Sequence, residues 1–486
     1  MNRPKVVVQP PDARGLREVT MGGEAVGSAW SLPGLRKVLG RLGYPQDLDV
    51  DDRSSICWLG GGSGTWPDRT WKRRTTIVFM MAGLLGSMAL LVVVGSPDFV
   101  GALTFAGRVT GLLFVLAGVV QGVAAVAVLD YWGKRHLKLS GAVILLGTLI
   151  ALGSDSLLLY LWLQETEFTP YVLIYLPLWL WSLWAIQMLT REKAWTGVPY
   201  PKQFAAGVTA TALLATFNLA YSTMYQPSSA PVLFDLKVKF GTPRMDPVRP
   251  VIHVPVTFEA RNSGKVPAYV ISDGYGVYGV AVKYASDESG LLEWREAVKG
   301  KSGGSDVGRF VKSPTRSTIS AARFYGPGNW LEPGEGYTRE RVIQIPKSAG
   351  YDTIEAYLKM TLMRKDRGRI DDEFSVKHYS WDTKEGPFYC PPEACYDHIL
   401  NRGRVRHNNN IINVTRRPRY VTSYYGLTGS PTDIEAYILS HAPKSVLYLG
   451  KEAEDEDRRE RKRYGVAVAE AMAVVPFAEL SSQAGT

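Results

Sequence analysis

Few residues in this chain have the type and surroundings that chemistry needs. Asp155 is one of them. It stands in Leu152-Gly-Ser-Asp-Ser-Leu157, inside a long apolar stretch. Burying a carboxylate in a bilayer is costly, which makes it a candidate for an ion or proton pathway unless neighbours satisfy it. Ser154 and Ser156 flank it, Asn218 and Gln121 are candidate interhelical partners, and Arg108 is placed to neutralise it. Cys390 and Cys395, in Phe388-Tyr-Cys-Pro-Pro-Glu-Ala-Cys395, form a second constellation. Two prolines help close so short a loop, and the spacing predicts a local disulfide. A zinc site would add His398 but lacks a fourth ligand. Cys57 stands alone and reads as a free thiol.

The remaining motifs fail on their own geometry. His253, His378, His398, His407 and His441 are scattered, without H-E-x-x-H, and no Gly-x-Ser-x-Gly elbow exists. Asp371-Asp-Glu373 offers carboxylates, but adjacent residues are poorly placed to face each other across a cleft. In Asp47-Leu-Asp-Val-Asp-Asp52 a calcium loop would need Gly where Asp52 stands and Glu where Trp58 stands. Gly60-Gly-Gly-Ser-Gly64 lacks the Gly-Lys-Ser/Thr of a phosphate loop and reads as a linker. The expectation is a protein that is not an enzyme and holds no cofactor or metal.

The elements that position these residues are of two kinds. Over 486 residues, 46% hydrophobic and 21% charged looks like an ordinary soluble chain. The average conceals a segregation. Five segments are long and apolar enough to cross a bilayer: Thr75–Gly95, Val109–Leu129, Leu139–Leu163, Tyr171–Leu189 and Ala205–Tyr225. If they alternate, Lys72, Arg73, Arg74, Lys134, Arg135, Lys138, Arg191, Lys193 and Lys202 share one side, while the other side's short loops carry only Arg108. Basic residues mark the cytoplasmic side, so residues 1–74 are expected in the cytoplasm and everything after Tyr225 outside it. Within the spans, Gly83, Gly86, Gly107, Gly111, Gly118 and Gly122 allow close helix approach, within one bundle or between copies.

Residues 1–74 read as largely disordered, with turn-rich Val8-Gln-Pro-Pro-Asp and Met21-Gly-Gly-Glu. One short amphipathic helix interrupts them. Leu35, Val38, Leu39 and Leu42 recur at helical spacing, with Arg36, Lys37 and Arg41 opposite. So short a helix needs support, from the bilayer surface, its own neighbours or a docked protein partner.

After the linker Gln226–Pro231 come short alternating runs: Val232–Phe240, Val251–Ala260, Ala268–Ser272, Val277–Tyr284, Arg341–Ile345 and Ile354–Arg364. They predict a β-sandwich over residues 226–379. Gly290–Arg323 reads as a long insertion between strands. Residues 380–486 read as an α+β extension, with a short helix at Asp433–His441, a solvated helical face at Glu452–Arg463 and a packed helix or strand at Ala467–Val475.

Phe258-Glu-Ala-Arg-Asn-Ser-Gly-Lys-Val-Pro-Ala268, and Trp330-Leu-Glu-Pro-Gly-Glu335 followed by Val342-Ile-Gln-Ile-Pro346, resemble hairpins of bacterial immunoglobulin-like envelope domains. The resemblance brings no catalytic residues with it. The whole layout, with its Arg/Ala/Gly/Val-rich composition, is similar to actinobacterial multi-pass proteins that attach contractile injection systems to the envelope. The expected architecture is therefore a five-helix membrane bundle, residues 75–225, followed by an extracytoplasmic immunoglobulin-like domain. The expected partners are the lipid bilayer, a cytoplasmic protein and a cell-wall polymer. Nucleic acid is not expected: a sequence pI near 9.2 does not imply it, since residues 226–486 carry 37 Lys and Arg against 32 Asp and Glu, a net +5 for which anionic surface polymers are the expected partners. The alternatives are a small-solute or ion pathway centred on Asp155, or an envelope carbohydrate-binding protein.

Overall fold

The structure, a computed structural model, describes residues 5–12, 15–45, 48–64, 70–133, 139–165, 167–192, 194, 232–284, 311–381, 397–426, 432–441 and 450–485. The chain divides into two compact units, Met1–Leu219 with Asn410–Arg416, and Ala220–Asn409 with Arg417–Thr486.

The first unit begins with an ordered α/β domain where disorder was expected. Strands β1 (Val6–Val8), β2 (Arg17–Met21), β3 (Glu24–Ala29) and β4 (Ile56–Trp58) form one sheet in the order β3-β2-β1-β4. Gly22 and Gly23, both at positive φ, make the two-residue turn between β2 and β3. The pair that suggested disorder is thus a hairpin turn. Helix α1 (Leu32–Arg41) is capped by Ser31, whose Oγ accepts from the Gly34 N–H, and crosses over so that β4 lies parallel to β1. Val6, Val8, Val19, Leu35, Leu39, Tyr44, Val50 and Ile56 fill the domain's core.

Four helices follow: α2 (Thr70–Gly101), α3 (Phe105–Tyr131), α4 (Ser140–Glu165) and α5 (Val172–Arg191). All four are long and apolar enough to cross a membrane. The expected fifth span, Ala205–Tyr225, lies outside the described residues. Val93, Val126, Leu176 and Leu180 are exposed along the helices, as lipid-facing side chains would be. The glycines serve packing within the chain. A methyl group on Gly111 would sit 2.3 Å from the Phe99 backbone nitrogen and 2.7 Å from the Gly95 carbonyl oxygen, so α2 and α3 touch backbone to backbone there.

The second unit is mostly β. Strands β5 (Phe234–Phe240), β6 (Arg244–Met245), β7 (Val251–Asn262) and β11 (Gly336–Pro346) form one sheet in the order β11-β7-β5, with β6 beside β7. A second sheet runs β10-β8-β12-β18, with β9 beside β8. Its strands are β8 (Ala268–Tyr284), β9 (Val311–Ala322), β10 (Trp330–Leu331), β12 (Thr353–Arg364) and β18 (Val466–Pro476). These two sheets share one core: Ile252, Val254, Val256 and Phe258 from β7 meet Val270, Val277, Ile354, Leu358 and Met360.

A third sheet covers the other face of the second. It contains β13 (Gly368–Ile370), β14 (Lys377–Tyr379), β15 (His398–His407), β16 (Arg419–Gly426) and β17 (Ile434–Leu439), in the order β13-β15-β16-β17 with β14 beside β15. Ile271 and Met363 pack there against Val405, Val421 and Ile438. Residues Val270–Val280 are consequently buried on both faces. That explains why the runs expected at Ala268–Ser272 and Val277–Tyr284 are one strand: double-sided burial erases the alternation that marks half-buried strands. Two other expectations change. Val311–Ala322, expected within an insertion, is strand β9. Asp433–His441, expected as a helix, contains strand β17, with Ile434, Ala436 and Ile438 inward at period two.

The edge of β17 is completed by the charge-rich helix α7 (Lys451–Tyr464) in place of another strand; a separate short helix, α6 (Asn410–Thr415), precedes β16, and α8 (Phe477–Gln483) follows β18. Asp457 Oδ1 accepts from the Ile438 N–H at 2.8 Å, Glu456 Oε1 from the Ser440 N–H at 2.8 Å, and the Arg461 guanidinium donates to the Ala436 carbonyl. Residues 436, 438 and 440 alternate along one edge, so helix side chains occupy the donors and acceptors a neighbouring strand would take. Asp457→Ala should therefore destabilise the protein by about 1.5–3 kcal/mol. The change in thermal unfolding would be compared with Asp455→Ala, whose exposed site predicts a change within about 0.5 kcal/mol.

Candidate functional site

The bundle holds polar groups in its interior and is engaged at both ends. Asp155 is fully buried on α4, on the face that carries Ala151 one turn before it and Leu158 one turn after. Neither carboxylate oxygen has a hydrogen-bond partner among the described residues. The expected neighbours are committed elsewhere. Ser154 Oγ donates to the Ile150 and Ala151 carbonyls, while Ser156 Oγ accepts from Trp179 Nε1 at 2.9 Å. Gln121 Nε2 donates to Ser87 Oγ at 3.0 Å. Arg108 is exposed and its Nε donates to the Ala102 carbonyl at 3.0 Å, so it does not pair with Asp155. Asn218 lies outside the described residues.

At the end of the bundle where α2 and α4 finish, helix α6 is packed between helices. Ile411 and Val414 are buried with Leu90 and Val94 of α2, Leu158 of α4, and Val172 and Tyr175 of α5. Both oxygens of Asp98 accept from the Asn410 backbone N–H, at 2.9 and 2.8 Å, and Asn410 Nδ2 donates to the Val94 carbonyl at 3.0 Å. A six-residue helix has too few internal bonds to hold itself, so this capping and burial must hold it. Sequence reading missed the contact because its partners are 312 residues apart. The local signal was slight: Asn408-Asn-Asn-Ile-Ile-Asn-Val, polar then apolar.

At the opposite end, where α2 starts and α3 finishes, Trp30 joins the N-terminal domain to the bundle. Its Nε1 donates to the Gly133 carbonyl at 2.7 Å, and the Arg73 guanidinium lies 4.5 Å from the centre of its ring. The expected docking residues pack within their own domain. Leu35 and Leu39 fill the domain's own core, and Val38 and Leu42 pack against it. The strands absent from the sequence reading supply the apolar surface that the helix needed.

In the second unit, Asp273 and Arg323 form a buried polar connection, also missed in the sequence. Asp273 Oδ2 accepts from the backbone N–H groups of Phe324, Tyr325 and Gly326. Arg323 lies 3.8 Å from Asp273 Oδ1, donates to Asn401 Oδ1 at 3.2 Å and stacks 4.9 Å from the Tyr425 ring centre. Burial lowers the Arg323 pKa and pushes the Tyr425 hydroxyl up to about 12. Asp273 Oδ2 is satisfied by the backbone while Oδ1 has only the ion pair with Arg323, and a network engaged in this way by its own fold reads as a fastening between sheets. Asp371 is similarly occupied, its Oδ1 accepting from the Arg404 N–H at 2.9 Å, while Asp372 and Glu373 are exposed. Among the described residues no group of three or more His, Cys, Asp or Glu side chains could hold a metal. Cys390 and Cys395 lie outside the described residues, and Cys57 is a half-buried free thiol.

No protein-family model matches this chain, and no curated protein does. Two solved structures illustrate the similarities found. The ApaA protein from Bordetella pertussis is 17% identical, with 28% of this chain covering 85% of that one at a TM-score of 0.15. The sporulation control protein Spo0M from Bacillus subtilis is 10% identical, with 51% of this chain covering 93% of that one at a TM-score of 0.16. Similarities at these scores carry no argument about fold or function.

Asp98→Ala would leave the Asn410 N–H unpaired and remove charge-assisted bonds of about 1.5–3 kcal/mol. Hydrogen exchange should then show the amides of Ile411–Thr415 exchanging about 10- to 100-fold faster, with the α3 amides unchanged.

Proposed function

We propose that this protein is a non-enzymatic membrane attachment protein that joins a cytoplasmic partner to the cell envelope. One observation carries the reading. The N-terminal domain meets the bundle where α2 begins, whereas residues 410–416 meet it where α2 ends. Helix α5 finishes at Arg191, on the N-terminal domain's end. A return to the other end of the bundle between residues 192 and 410 is what this placement supports. The apolar run Ala205–Tyr225 has the length for a fifth crossing. The excess of Lys and Arg at the first end supports a cytoplasmic N-terminal domain, and an extracytoplasmic β region follows from an odd number of crossings.

Further features support a scaffold. A folded domain fixed to the bundle by Trp30 offers a protein partner a defined surface, and the contact falls on its exposed residues because the apolar face of α1 is consumed internally. In the β region, two sheets sharing one core support the immunoglobulin-like reading, and a cell-wall polymer is its proposed contact. By layout, the cytoplasmic partner is a large assembly of the contractile injection type. Crosslinking in intact cells, followed by purification of the full chain and of a version lacking Met1–Pro67, tests this. A specific assembly recovered only with the full chain is the expected result, and no specific partner with either version would contradict it.

The bare oxygens of Asp155 favour a second reading, a small-solute or ion pathway. On that reading Asp155→Asn abolishes flux in proteoliposomes at unchanged membrane abundance.

A further inference from the structure

Helix α1 has two faces, and the structure accounts for only one. Leu35 and Leu39 are buried in the domain, whereas Pro33, Arg36, Lys37, Gly40 and Arg41 are exposed on the opposite side. The helix contains no acidic residue. Among the described residues, Arg36, Lys37 and Arg41 take part in no ion pair. Three cations on one and a half turns repel one another, and water alone screens them incompletely.

Their position says what could neutralise them. Ser31, the cap of α1, immediately follows Trp30, and Trp30 is tied to Gly133 just past the end of α3. At a rise of about 1.5 Å per residue, Arg36 and Lys37 lie about 7–9 Å along the helix from that cap, and Arg41 about 15 Å. The same end of the bundle exposes Lys72 and Arg74 at the start of α2 and Arg191 at the end of α5. Trp71, fully consistent with an aromatic belt, is 77% exposed beside them.

We propose that Arg36, Lys37 and Arg41 bind the anionic phosphate headgroups of the bilayer in which the bundle sits, so that α1 lies against the lipid surface. The apolar face of α1 stays in the protein core, so the contact is electrostatic and involves no insertion. It fixes the N-terminal domain against the membrane in addition to the Trp30 contact and leaves the domain's other surfaces for a partner. This inference rests on α2–α5 spanning a bilayer.

The test uses the full-length protein in nanodiscs of phosphatidylcholine, alone or with one third phosphatidylglycerol. Acetylation of Lys37 by an uncharged reagent is followed by mass spectrometry. One cation at an anionic surface is worth about a five-fold effect, so Lys37 should react about five-fold more slowly in the anionic discs. High salt should remove the difference, and Arg36→Glu with Arg41→Glu should abolish it while the protein stays in the discs. Equal rates in both lipids would overturn the proposal. Protection independent of lipid that arises only in intact cells would also overturn it, and would assign the face to an acidic protein partner. Failure of the protein to enter discs at all would instead count against the membrane reading itself.

Discussion

The hydrocarbon core of a bilayer contains no water, and that constraint organises the first unit. Helices α2–α5 satisfy their backbone groups internally and turn apolar side chains such as Val93, Val126 and Leu180 outward. A bundle built this way can be engaged by polar chain only at its ends. Both described ends are used: the indole of Trp30 meets the Gly133 carbonyl at one, and Asp98 caps Asn410 at the other. Inside, association cannot draw on the hydrophobic effect, so close backbone contact at Gly95 and Gly111, and the Trp181 ring over Gly83, take its place.

Buried polar groups elsewhere follow a common rule, in that backbone groups do most of the work. Arg17, fully buried in the N-terminal domain, donates to the carbonyls of Gln9, Leu59, Gly60 and Gly61. The Gly60–Gly64 run that reads as a linker is thus partly clamped by a guanidinium. Asp273 accepts three backbone N–H groups, and Asp457 accepts one at a sheet edge while pairing with Arg461. Each arrangement holds a charge away from water without leaving it uncompensated. Asp155 stands apart from this pattern among the described residues, which is why it supports a second functional reading.

What was legible in the sequence depended on how local its cause is. The four membrane helices follow from a run of composition, and β7 from alternation across Ile252, Val254, Val256 and Phe258; both are visible in a short window. The N-terminal domain was not legible, because β1 is three residues long and its parallel partner β4 lies about fifty residues away in sequence. Without those strands, Leu35 and Leu39 looked available to a partner. The misreading of β17 has a different cause: Ile434–Leu439 mixes apolar and polar residues over too few positions to separate period two from period 3.6. Asp98 carried no signal at all, since its partner Asn410 is joined to it only by the fold.

The central claim is that the two engaged ends of the bundle lie on opposite sides of a membrane. Cysteine labelling in intact cells tests it directly, in a chain whose Cys57, Cys390 and Cys395 are replaced by serine. Arg53→Cys and Thr338→Cys place single thiols at exposed positions, one in the N-terminal domain and one on β11. A membrane-impermeant maleimide should label residue 338 in intact cells and residue 53 only after the membrane is opened. Labelling of both positions under the same condition would contradict the odd number of crossings and, with it, the attachment reading.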